Sequence, residues 1–189
     1  MTRYVSILVG IVYVFAQLLG SIIGASYVVA SLFVLMVING NYNNSLVLGI
    51  GGRTKANLGA FQLAHDDMMW QGFLLEIILT FVLLTAVFGA GVKPMHLRDT
   101  KFDKMSPLVA SFVVAMAVGA CACCGTLTGA CMNPARAFGP ELIAWSWKSY
   151  SWIYYAAPLI GGLTATVLFE FIMTPRSTIV REKHHYEHL

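Results

Sequence analysis

Gly129-Ala130-Cys131-Met132-Asn133-Pro134-Ala135-Arg136-Ala137-Phe138-Gly139-Pro140 is the stretch from which the rest of the chain can be read. Asn is a preferred helix N-cap and Pro is favoured at the first helical position, so a short helix is expected to start at Asn133-Pro134 and run to about Ala144. Such a helix is too short to cross a hydrocarbon core of about 30 Å. Yet long apolar stretches flank it on both sides. Interrupted backbone at membrane depth is tolerated only where it is buried in protein or lines a wet cavity. The N-terminus of the short helix carries roughly half a positive charge. Arg136 adds a full charge one turn along. Together they turn cations and protons away and offer hydrogen-bond donors to a neutral solute. The competing reading is an ordinary capped helix in an extracellular loop. Arg in so apolar a setting is costly and usually functional, which favours the first reading.

The setting is indeed apolar. Of 189 residues, 58% are hydrophobic and 11% are charged, against about 25% charged in a soluble domain. Apolar stretches run from about Val5 to Val37, Trp70 to Val92, Pro107 to Ala122 and Trp152 to Met173. A spanning helix needs about 20 mainly apolar residues. The first stretch is too long for one span, so its span is placed near Ile7–Val29, with an extracellular extension. The third is marginal unless Cys121 to Leu127 extends it. A secretory signal would stop after about 7–15 apolar residues, and the first stretch continues beyond that.

Basic residues orient the chain. Arg3, Lys93, Arg98, Lys101, Lys104, Arg176, Arg181 and Lys183 fall on one side, and Arg53, Lys55 and Lys148 on the other. This bias predicts that both termini are cytosolic and that 39–67 is extracellular. Asn43-Asn44-Ser45 would then be a glycosylation acceptor at Asn43 on the correct side. Gly49-Ile50-Gly51-Gly52 reads as a loop hinge, because it lacks the strand and helix of a phosphate cradle. A net charge of +3 with no basic stripe gives no case for nucleic acid. Cys121, Cys123, Cys124 and Cys131 are too crowded for a disulfide framework, and no acidic or His ligand lies beside them for zinc. His184, His185 and His188 cluster as metal ligands could, but their polar setting favours a solvated tail. No metal, cofactor or nucleophile–base pair is expected, and no enzyme.

Gly20 and Gly24, Gly161 and Ala165, and Ser111, Ala115 and Gly119 repeat small residues at helical spacing, which lets helix backbones approach closely in lipid. The first and fourth stretches also resemble each other. Tyr13, Ala16 and Gly20 align with Tyr154, Ala157 and Gly161 at a constant offset of 141, since 154 − 13 = 141. Repeats of this kind build membrane transport folds. The same offset carries Asn133 to a position before Met1, so a first copy of the Asn-Pro-Ala segment is expected upstream of this chain.

Gly129 to Pro140 resembles the second signature loop of the aquaporin (major intrinsic protein) family. Tyr13 to Gly20 resembles that family's third helix, Glu76 in Leu-Glu-Ile-Ile-Leu-Thr its fourth, and Tyr154 to Gly162 its sixth. The Cys131-Met132 pair is similar to the aquaporin-eight subgroup, the aquaammoniaporins. The resemblance implies an all-α membrane protein, an aquaporin-like bundle with inverted repeats. This chain would supply about four transmembrane helices and one re-entrant half-helix. Residues 1–175 would be the channel domain, truncated at its N-terminus to the third helix and the second repeat, and 176–189 a cytosolic tail. It further implies a tetramer, a plasma-membrane location and a passive channel for water, with ammonia or hydrogen peroxide as further solutes. The alternative is a non-conducting subunit that joins full-length relatives.

For the site, the resemblance implies that Asn133 donates its amide hydrogens to the solute. Pro134 and Ala135 would hold the half-helix against a partner, and Arg136 would stand in the outer constriction. Cys121 falls where strictly water-selective members carry His, and Ala130 at the other small filter position, so a wider and less polar constriction is implied. Glu76 would accept backbone hydrogen bonds that fix the loops, or be a buried polar residue without that task. Glu141, about 12 Å along the half-helix from Asn133 at about 1.5 Å per residue, would lie near the outer mouth, either concentrating cations or simply solvated.

Overall fold

A computed structural model describes residues 6–39, 59–90 and 107–169. Five α-helices occur among them: α1 (Ile7–Asn39), α2 (Met69–Ala90), α3 (Pro107–Cys124), α4 (Pro134–Ala144) and α5 (Ile153–Leu168). A single 3₁₀ turn, Asp66–Met68, leads into α2. No strand occurs among the described residues. Among the described residues two helices are long and apolar enough to cross a membrane, over Ile7–Leu32 and Asp66–Ala90, while Leu108–Cys124 and Ile153–Leu168 are shorter apolar helices.

Helix boundaries follow local chemistry. Pro107 opens α3 and Pro134 opens α4, positions where the missing N–H costs nothing. The α3 helix extends two residues past Ala122 but stops at Cys124, because Gly125 begins a turn that brings Ala130 back against it. The expected continuation to Leu127 is therefore a turn. α4 ends where Trp145 enters the left-handed region at φ 48°, with its N–H on the Glu141 carbonyl. α1 is one unbroken helix of 33 residues. The extension beyond Val29 is thus helical, and at about 1.5 Å per residue α1 is near 50 Å long.

α2 packs against both α3 and α5, α4 packs against α5, and α1 lies on α4. The Gly161–Ala165 pair does what small residues at that spacing allow: a Cβ on Gly161 would run into the Ile77 carbonyl oxygen, and Ala165 is buried. Gly20 and Gly24 differ from expectation. A side chain at either would meet nothing within 4 Å; it is the neighbouring Ser21 that meets Gly139 of α4, and Ala25 that is buried. Gly119 likewise faces open space, and Ser111 and Ala115 are exposed. Small side chains make a smooth face; they do not supply what covers it.

Two apolar clusters sit around the loop that joins α3 to α4. One gathers Phe61, Leu63, Cys131, Ala137, Tyr150, Ile153 and Tyr154. The other gathers Leu79, Cys121, Ala130 and Met132. Elsewhere the helices expose large apolar side chains, among them Phe15 and Ile23 on α1, Leu74 on α2 and Leu163 on α5. Contiguous apolar surface on this scale marks contact with lipid or another protein. The basic residues behind the orientation argument, apart from Lys148, lie outside the described residues, as do Asn43, Gly49 to Gly52 and the histidine tail.

Candidate functional site

The loop from Gly125 to Asn133 is held in an unusual shape. Gly129 takes φ 83°, and two residues with side chains, Ala130 and Met132, take φ 52° and 55°. Non-glycine residues in this region are strained, so something must hold them there. Glu76 does. It is fully buried on α2, and its two carboxylate oxygens accept the backbone N–H groups of Cys131 and Met132, each at 2.8 Å. Hydrogen bonds to an ionised acceptor are about twice as strong as neutral ones. Thr128 adds a third support, its Oγ1 accepting the Ala130 N–H at 3.2 Å, and the Tyr154 hydroxyl donates to the Thr128 carbonyl at 3.2 Å. From the segment before α2, the Ala64 N–H donates to the Leu127 carbonyl at 2.8 Å. Beside this segment, burial pushes the Tyr150 phenol above its ordinary range, and the charge of Asp66 adds to this.

Asn133 is the N-cap of α4, extended at φ −155°, and its Oδ1 accepts the Ala135 N–H at 2.9 Å. Because the oxygen is committed to the cap, the amide N–H groups are left for something else. Asn133 is exposed, as is Arg136 three residues on, whereas Ala135 and Ala137 are buried. Asn133 and Arg136 therefore share one open face of the half-helix. The Arg136 Nη1 donates to the Ala130 carbonyl at 3.0 Å, and its guanidinium carbon stands 5.0 Å from the centre of the Phe61 ring. A guanidinium has five N–H donors, so this arrangement aims the head and leaves donors free.

The two other candidate filter residues are placed differently. Ala130 is buried beneath Arg136, touching it through its carbonyl. Cys121 is buried beside Ala130 with its thiol on the Leu79 carbonyl at 3.6 Å. The Cys131 thiol donates to the Asn133 carbonyl at 3.2 Å, within the apolar cluster. Neither thiol is on the open face. Cys123 and Cys124 are exposed on α3. Among the described residues no group of three or more His, Cys, Asp or Glu could hold a metal ion.

Glu141 is not solvated. It is fully buried, and its Oε2 accepts the Tyr155 hydroxyl of α5 at 2.6 Å, while Oε1 has no partner. Distance along the axis had placed it; the face decides. Glu141 stands one turn after buried Ala137, so it points into the protein. Gly139, on the same half-helix, lets α1 come close: its N–H donates to Ser21 Oγ at 3.0 Å, and a Cβ there would strike the Ser21 backbone. Phe61, Thr128, Tyr155 and Ser21 were not legible as site residues. Phe61 lies in a segment without periodicity, and Ser21 was masked by the two glycines flanking it.

Residues 1–169 match the profile of the family described as "Major intrinsic protein". The chain is 34% identical over 170 residues to a "Probable aquaporin TIP-type" of Medicago truncatula, covering 89% of this chain and 56% of that protein. It is 32% identical over 174 residues to "Aquaporin TIP1-2" of Musa acuminata, covering 92% and 58%, and 32% identical over 166 residues to "Aquaporin TIP1-1" of Arabidopsis thaliana, covering 88% and 55%. The chain thus spans a little over half the length of the curated relatives it matches. These relatives are of TIP type, so the likeness of Cys131-Met132 to the aquaporin-eight subgroup finds no support among them. A loop strained around Glu76, a half-helix capped by Asn133 and a family match over nearly the whole chain agree: this is an integral membrane protein of the major intrinsic protein family.

Proposed function

We propose that the chain forms part of a passive channel for water, with small neutral solutes such as ammonia and hydrogen peroxide as further permeants. The observation that carries this reading is the open face shared by Asn133 and Arg136, with the Asn133 carbonyl spent on its own cap. Free amide and guanidinium donors there orient a neutral solute by its oxygen or nitrogen. The half-helix N-terminus and the Arg136 charge oppose cations and protons. Nothing in this reading requires a reacting group, a metal or a cofactor. Support for solutes beyond water comes from the small size of Cys121: buried beside Ala130, it leaves the seat of Arg136 undisplaced, where a bulkier, more polar His would press Arg136 toward the passage. In the reading, Cys121 acts through Ala130 on the seat of Arg136. Cys121→His should lower ammonia and peroxide flux more than water flux.

Lipid is the surrounding partner, and a tetramer with one pore per subunit is part of the proposal, as are cytosolic termini on the strength of the basic-residue bias. The plasma membrane draws no support from the TIP-type relatives and is not part of it. A second reading has its own observation. Gly20, Gly24 and Gly119 face open space in the single chain, surfaces onto which full-length relatives could pack in a non-conducting assembly. Osmotic shrinkage of proteoliposomes separates the two. The chain is compared alone and joined at its front to the preceding segment of a full-length relative. Fast shrinkage of the joined protein supports the channel; shrinkage no faster than empty liposomes rejects it.

A further inference from the structure

The chain contains four tryptophans, Trp70, Trp145, Trp147 and Trp152. All four lie at one end of the bundle. Trp70 is in the first turn of α2, Trp152 immediately precedes α5, Trp145 caps the C-terminus of α4 and Trp147 follows it. Trp70 and Trp152 stand edge to face at 5.9 Å, and Phe73 joins them at 5.2 Å from Trp152. Phe138 and Trp147 form a second pair at 6.4 Å. Despite this clustering, the rings are not buried: Trp70 is 62% exposed, Trp145 76%, Trp147 43% and Trp152 39%. Tryptophan is usually well covered in a folded protein. No acceptor is recorded for any of the four indole N–H groups among the described residues.

What surrounds the rings changes sharply across them. In the described segments just before α2 and between α4 and α5 the exposed residues include His65, Asp66, Asp67 and Lys148, with Met68 the one large apolar side chain besides the tryptophans. On the helix side they are apolar, with Leu74 and Ile78 on α2 and Leu159 and Leu163 on α5. An indole has an apolar body and one N–H that needs an acceptor, and it settles where one end can be dry and the other wet.

We propose that this tryptophan rim is a lipid-contact surface, seated at the carbonyl and headgroup level of the leaflet nearest the C-terminus of α4, where lipid ester and phosphate oxygens accept the four indole N–H groups. The rim sets the depth of the site. Asn133 and Trp145 cap the two ends of the 11-residue α4, so at about 1.5 Å per residue Asn133 lies about 18 Å from the rim along the helix axis. The inference does not depend on what, if anything, the protein conducts.

Because every tryptophan of the chain belongs to the rim, its intrinsic fluorescence reports on the rim alone. The chain is reconstituted in phosphatidylcholine bilayers carrying bromine either near the headgroup end of the acyl chains or near their tips, with aqueous iodide as a third quencher. Quenching by the shallow bromines several-fold greater than by the other two is expected. Trp70→Phe and Trp145→Phe, which keep an aromatic body, should each dim the signal while leaving that order unchanged. Strongest quenching by chain-tip bromines or by iodide, or equal quenching by shallow and deep bromines, would overturn the assignment. Protection from all three would show that another protein or a second copy covers the rim, and would overturn it equally.

Discussion

Replacing Glu76 by Gln changes one atom type and leaves the shape of the side chain intact. Glu76 is fully buried and holds the Cys131 and Met132 N–H groups at 2.8 Å each. Gln offers a single oxygen, so one N–H would face an amide NH₂ group instead of an acceptor. A hydrogen bond to a charged group contributes about 1.5–3 kcal/mol, and a buried donor left without a partner costs about 1–3 kcal/mol more. Part of this is returned, because Ala130 and Met132, at φ 52° and 55°, would relax once released, regaining about 1 kcal/mol or somewhat more each. The net loss is about 0.5–4 kcal/mol, against a typical stability of about 5–15 kcal/mol. For a chain of this length about 1 kcal/mol moves the unfolding midpoint by about 2–4 °C, so a fall of about 1–16 °C is expected. A thermal melt in detergent, read by a dye that reacts with the buried thiols of Cys121 and Cys131 as they become accessible, measures it. A midpoint unchanged in Glu76→Gln would refute the view that Glu76 holds the loop in its strained shape.

Other outcomes follow from the same contacts. Gly139→Ala pushes a methyl group into the Ser21 backbone and should cost about 1–3 kcal/mol by overpacking, whereas Ser21→Ala, which loses one hydrogen bond, should cost about 1 kcal/mol; equal costs in the same melt would contradict the close approach. Tyr155→Phe leaves the buried Glu141 carboxyl without its donor and should lower the midpoint by the equivalent of about 1–3 kcal/mol, while Glu141→Gln, which keeps an oxygen for Tyr155, should lower it less. A membrane-permeant maleimide on the folded protein should modify Cys123 and Cys124 first and leave Cys121 and Cys131 until unfolding, as mass spectrometry would show; early modification of Cys131 would place it on the wrong side of the loop.

The half-helix could be read residue by residue because its signals are local. Asn133 and Pro134 specify a start, and their spacing from Arg136 specifies which groups share a turn. Glu76 was legible only through the resemblance, because its partners are backbone groups 55 and 56 positions away and nothing along α2 announces them. Glu141 was misplaced for a different reason. Rise along a helix says how far a residue lies from its start, whereas burial depends on rotation, and the decisive neighbour Tyr155 belongs to another helix. Gly20 and Gly24 show the limit of periodic patterns, since they describe a surface without its occupant. Phe61 stacks on Arg136 from a segment with no periodicity at all.

The central claim is that the open face carrying Asn133 and Arg136 is the conducting path. Its most direct test places a thiol on that face. Arg136→Cys is prepared in the chain joined at its front to the matching segment of a full-length relative, and water permeability is followed in proteoliposomes as a membrane-impermeant thiol reagent is added. The account predicts that permeability falls toward that of empty liposomes as Cys at 136 is labelled, while the parent, whose exposed Cys123 and Cys124 lie on α3, is unaffected. Complete labelling at position 136 with unchanged water flux would contradict it.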